Sequence, residues 1–96
     1  MKEVITGRRY KIIINEPVVV YILTTRYGTF KGKAKCHPND FFIKDEGIKI
    51  AYNRAKRKEL DYRLRLNGED IIMIEEILEE LYKLEEKILD KYQHLI

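Results

Sequence analysis

The sequence is short of the residues on which most small enzymes depend. It has one cysteine, two histidines and no serine, so a nucleophile with a neighbouring base has few residues to be built from. A single cysteine also excludes an internal disulfide, which fits a reducing compartment. No apolar run approaches the roughly 20 residues of a membrane span. The longest, VVVYIL at 18–23, has the length of a strand. The opening residues, MKEVITGRRY, lack the apolar core of an export signal. There is no glycine-rich phosphate loop, no repeat and no low-complexity segment.

What is present is charge. Charged residues make up 36% of the 96 and apolar residues 45%, the balance of one soluble globular domain. The net charge of +3 conceals an asymmetry. Residues 1–66 carry 16 Lys and Arg against 7 Asp and Glu, a balance of +9, while residues 67–96 carry 3 against 9, a balance of −6. The chain thus divides into a basic sheet-plus-helix part, 1–66, and an acidic helix, 67–96, within a single domain. Either the basic part holds a polyanion or an acidic protein face, or the two halves neutralise each other within or between chains.

The first half reads as sheet. EVITGRRYKIII has β-branched runs on both sides of Thr6-Gly7, which predicts a hairpin. Pro17 interrupts the run because it cannot donate a ladder hydrogen bond. VVVYILTT (18–25) is apolar on both alternating faces, as a central strand is. Gly28 supplies the next turn. TFKGKAKC (29–36) then alternates, with Phe30, Ala34 and Cys36 facing one way and Lys31, Lys33 and Lys35 the other. His37-Pro38 closes that strand, and Phe41, Phe42 and Ile43 are placed to plug the end of the core. A helix is predicted from about Asp45 to Leu66, packing Ile48, Ala51, Tyr52 and Ala55 on the sheet and stopped by Asn67-Gly68.

The last segment carries an apolar stripe in steps of three and four: Ile71, Ile74, Ile77, Leu78, Leu81, Leu84, Ile88, Tyr92 and Leu95. About 25 helical residues would span roughly 37 Å. That length overhangs a sheet of this size, so two outcomes are open. The stripe forms a dimer interface through Ile74, Leu81 and Ile88, or the helix folds back on the 45–66 helix as an antiparallel pair. The fold class is therefore α+β: an antiparallel sheet of three to four strands, one helix packed across it, and a long amphipathic C-terminal helix.

Three groups of residues invite a functional reading. Cys36, His37 and Asp40 have the chemistry of a reactive or metal site, but neighbours on a strand point to opposite faces. The second histidine, His94, lies far along the chain, and zinc wants four ligands. No catalytic residue, metal site or cofactor is assigned. Lys31, Lys33 and Lys35 stand about 6–7 Å apart along a strand, near the spacing of successive phosphates. With Arg54, Arg57 and Lys58 they form the candidate polyanion-binding set. Glu75, Glu76, Glu79, Glu80, Glu85 and Glu86 form the candidate partner-binding face of the acidic helix.

The stretch GKAKCHPNDFFIKDEGIKIAYNRAKRK (32–58) resembles a family of small proteins encoded by phages and prophages of Gram-positive bacteria. In that family a strand ends in Lys-Cys-His-Pro-x-Asp, here Lys35 to Asp40. A loop with an acidic residue and a glycine follows, here Gly47, and then a helix reading Ile-Ala and Arg-Ala, here Ile50-Ala51 and Arg54-Ala55. The pattern is also similar to a shortened double-stranded RNA-binding-domain fold, over roughly residues 18–60. No helix precedes the sheet, and Asp45 and Glu46 stand where such a domain places lysines, so RNA contacts are not part of what the resemblance implies.

What it implies is a non-enzymatic, phage-encoded binding protein in the cytoplasm of a bacterial host. The leading expectation is an inhibitor of a host defence protein, in the manner of anti-CRISPR proteins, whose acidic helix covers a nucleic-acid-binding surface. The alternatives are a nucleic-acid-binding protein that uses the lysine strand and the basic helix, and a structural homodimer in a phage assembly. No membrane contact is expected.

Overall fold

The computed structural model describes residues 2–36, 42–66 and 71–91. His37, Pro38, Asp40, Phe41, Asn67, Gly68, Tyr92, His94 and Leu95 lie outside them. Four strands come first: β1 (Lys2–Thr6), β2 (Tyr10–Asn15), β3 (Val18–Thr25) and β4 (Gly28–Lys35). Two helices follow, α1 (Lys44–Arg65) and α2 (Ile71–Lys91). The strands form one antiparallel sheet in the order β1-β2-β3-β4. Short turns of two or three residues suffice for this meander. One of them holds Glu16-Pro17, joined by a cis peptide bond, and another leads into Gly28, whose φ of 131° favours glycine.

Strand register sorts the side chains onto two faces. Ile5, Ile12, Tyr21 and Gly32 align in one row, and Ile14, Val19 and Ala34 in another. These rows carry the core, where Val19 and Ala34 are sealed from solvent. Cys36 is buried beside them, with its N–H donated to the Pro17 carbonyl at 2.9 Å.

α1 lies across β3 and β4 and meets them with small side chains. Gly47, Ala51 and Ala55, one turn apart, are all buried. Opposite them, Gly32 has no room for a side chain, since a Cβ there would collide with the Ala51 carbonyl oxygen and the Ala55 nitrogen. A Cβ on Gly47 would come within 2.9 Å of Val19 Cγ2. Helix and strand backbones thus nearly touch along this seam. Larger residues fill the margins, Ile50 and Leu60 being fully buried and Ile48 and Phe42 packing on the core. Each such apolar side chain contributes about 1.5–3 kcal/mol of burial. Tyr52 is more exposed than its spacing predicts, and meets the sheet through an edge-on contact with Tyr21 at 5.1 Å.

Of the two outcomes open for the last helix, the structure takes the second. α2 packs on α1. Asn53 and Arg57 lie near the middle of α1 and touch Leu81, Tyr82 and Glu85 near the middle of α2, with five residues between the helices. That pairing makes an antiparallel hairpin. Ile74 is fully buried and Ile88 packs against the sheet core, so two of the three residues of the proposed dimer seam are used within the chain, and the third, Leu81, is half-buried. The stripe also differs in phase from its sequence reading. Leu84 is 49% exposed, whereas the Glu85 side chain is only 13% exposed. On a helix, position 85 sits between Leu78, Leu81 and Ile88, at offsets of seven, four and three, while 84 falls to the side.

The molecule measures 43 × 29 × 15 Å. Its shortest dimension has room for one sheet and one helical layer. Both helices occupy the same side, and neither is long and apolar enough to cross a membrane among the described residues.

Candidate polyanion-binding face

Among the described residues, no element covers the other side of the sheet. Three rows cross it: Lys2-Asn15-Val18-Lys35, Val4-Ile13-Val20-Lys33 and Thr6-Lys11-Ile22-Lys31. Lys31, Lys33 and Lys35 stand on β4 with Lys11 on β2 and Lys2 on β1, and all five are exposed. Not one carboxylate occupies these rows. Among the described residues none forms an ion pair with any of the five. Between the lysines, Ile13, Val18, Val20 and Ile22 are only half-buried, because neighbours and lysine stems cover them in place of a second layer.

Physical chemistry gives this face one clear capacity. Ammonium groups spaced about 6.5 Å apart on a strand, and about 4.8 Å per strand across it, hold an extended polyanion through several weak contacts. The β-branched residues between them offer apolar contact but no aromatic ring for stacking. Lys2 and Lys11 were not among the sequence candidates. Their alternation was visible in the chain, but their membership of the lysine face depends on strand register.

The cations of α1 are arranged differently. Arg54 donates from Nε to Glu85 at 3.1 Å and from Nη1 to the Lys33 carbonyl at 2.8 Å, on the free edge of β4. Arg57 donates from Nη2 to the same Glu85 oxygen at 2.8 Å, and its guanidinium lies 4.3 Å from the Tyr82 ring centre. Two residues assigned to polyanion binding and one assigned to a partner face therefore meet in a single intrachain cluster. Lys56, one turn away, pairs with the buried Glu59 at 2.6 Å. Lys58 remains exposed and lines an open cleft of about 400 Å³ with Lys33, Arg54, Arg57, Asp61 and Tyr82.

The acidic residues of α2 otherwise keep to its outer side. Glu75, Glu76, Glu79, Glu80 and Glu86 are exposed, and Glu79 pairs with Lys83 at 3.2 Å. The helix thus presents carboxylates on the side of the molecule away from the lysine face.

A tyrosine group sits on the covered face of the sheet. Tyr21 stacks on Tyr10 at 5.8 Å and meets Tyr52 edge-on. Burial, and then the neighbouring Tyr52 and Tyr10 hydroxyls, push the Tyr21 phenol above its ordinary value. Among the described residues no three His, Cys, Asp or Glu side chains converge as a metal-ligating group. No protein-family model, curated protein or solved structure matches the chain.

Proposed function

We propose that this chain is a non-enzymatic nucleic-acid-binding protein whose contact surface is the open face of the sheet. The observation that carries the reading is the makeup of that face: five exposed lysines, no acid, and no element packed over it among the described residues. Such a surface binds phosphates and does not read bases, so binding is tolerant of sequence. Lys31, Lys33 and Lys35 carry it, with Lys11 and Lys2 in support. Purified without nuclease, the protein retains nucleic acid, visible as a raised ultraviolet absorbance ratio, and it retards a short oligonucleotide in a low-salt gel. A clean protein that retards neither single strand nor duplex would contradict the proposal.

A second reading rests on the outer face of α2. Five exposed glutamates along one helix can occupy a basic groove that otherwise takes nucleic acid, which is the action of a phage-encoded inhibitor of a host defence protein. Under this reading, expression in a bacterium that restricts phage through a nucleic-acid-guided nuclease raises plaque counts. Changing Glu76, Glu79 and Glu80 to lysine removes the rise. Equal plaque counts with and without the protein count against this reading. The inhibitor reading carries with it the cytoplasm of a bacterial host.

A further inference from the structure

The cleft at the β4 edge adjoins the lysine face. Lys33 belongs to both, since its register places its side chain on the open face of this edge strand and the residue borders the cleft, where its carbonyl accepts from Arg54 Nη1. A strand of nucleic acid held along Lys31, Lys33 and Lys35 therefore has a route over the edge of the sheet. The cleft combines two kinds of recognition. Lys33 and Lys58 supply mobile positive charge. Tyr82 supplies a ring that is 52% exposed, stiffened on one side by the Arg57 guanidinium at 4.3 Å.

One further observation points to a ligand. Arg54 and Arg57 share one Glu85 oxygen, so the trio retains a net positive charge toward whatever enters. The surrounding acids set the direction of entry. Glu75, Glu79 and Glu86 outnumber Lys83, which pairs with Glu79, on the far side of the ring, and disfavour phosphate there. Phosphate is thereby confined to the Lys33 and Lys58 side. Asp61, the acid of the cleft lining, is placed to accept from a base N–H.

We infer that this cleft binds one nucleotide unit of a single strand, its phosphate between Lys33 and Lys58 and its unpaired base against Tyr82. The inference rests on the nucleic-acid reading above and sharpens it, because a paired base cannot reach the ring. Stacking of one base on an aromatic side chain changes affinity by about tenfold or more. The protein is thus expected to prefer single strands to duplexes.

The test uses the full chain and three labelled probes of equal length: oligothymidylate, an abasic strand and a duplex. Wild-type protein binds oligothymidylate about tenfold more tightly than the abasic strand. Tyr82→Leu removes that difference, Tyr82→Phe keeps it, and Lys58→Glu weakens both single strands. Equal affinity of the wild type for thymidylate and abasic strands overturns the inference without any variant. If that equality is found while Lys31→Glu, Lys33→Glu and Lys35→Glu together abolish binding, the cleft is refuted and the lysine face stands. If no probe binds, both fall.

Discussion

Arg57 of α1 donates from Nη2 to Glu85 Oε1 of α2 at 2.8 Å, with both side chains largely buried. Arg54 Nε reaches the same oxygen at 3.1 Å. One carboxylate on the acidic helix thereby neutralises part of the basic helix, inside the chain. The two charge halves of the sequence meet at this point.

Removing that carboxylate strands two guanidinium groups in a partly desolvated seam. Glu85→Ala is expected to cost about 2–3 kcal/mol, by the penalty for leaving buried charged donors without an acceptor. Glu85→Gln, which keeps the volume and one acceptor oxygen, costs less. Urea unfolding followed by circular dichroism measures both. A change within about 0.5 kcal/mol for Glu85→Ala, the range of an ordinary surface substitution, would show that the cluster adds nothing.

The phase of α2 yields a paired comparison. Ile74 is fully buried, so Ile74→Ala should cost about 2–5 kcal/mol through lost burial and a residual cavity. Leu84→Ala, at an exposed position, should stay within about 0.5 kcal/mol. Thermal or urea melts of the two variants separate the structure from the sequence-derived stripe, in which both leucine and isoleucine face inward. Comparable losses at 74 and 84 would restore the earlier phase.

Close packing of α1 on β4 depends on Gly32. Alanine there must push the helix off the strand, since the new methyl meets the backbone at Ala51 and Ala55 and no flexible side chain can give way. The expected loss is about 3 kcal/mol or more, at the upper end for overpacked cores. A Gly32→Ala variant that melts like the wild type would show that the helix does not lie where described.

Alkaline stability should report on Tyr21. Its folded phenol titrates above the unfolded value of 10.0, chiefly because burial disfavours the phenolate. The neutral form is therefore favoured by folding, and its stabilising effect is complete below pH 10.0. It is lost as pH rises through the folded value. Tyr21→Phe should flatten the fall in stability that begins near pH 10.0, measured by urea midpoints across the alkaline range. An unchanged slope would remove Tyr21 from the account.

Much of the fold could be read from local pattern. The alternation in TFKGKAKC set Phe30, Ala34 and Cys36 against the lysines, and the structure keeps that division because the period of a strand is fixed. The spacing of Ala51 and Ala55 likewise marked the packed side of α1. What local pattern could not supply was pairing. Lys2 and Lys11 join the lysine face only through the register of β1, β2 and β3. Glu85 was assigned outward because it is charged, yet it lies at the centre of the buried arc and is compensated by Arg54 and Arg57 from another helix. Tyr82 gave no signal at all, since its contact with Arg57 joins two helices that are far apart in the chain.

The central claim is that the lysine face binds nucleic acid. Fluorescence anisotropy of a labelled single-stranded oligonucleotide, titrated at several salt concentrations with the wild type and with Lys31→Glu, Lys33→Glu and Lys35→Glu combined, addresses it most directly. Each phosphate neutralised on a single strand contributes about −0.7 to the slope of log affinity against log salt, so three to five lysines predict a slope of about −2 to −3.5. The triple variant should fold with the wild-type melting temperature and lose binding altogether. A slope near zero, or a triple variant that binds like the wild type, would contradict the account.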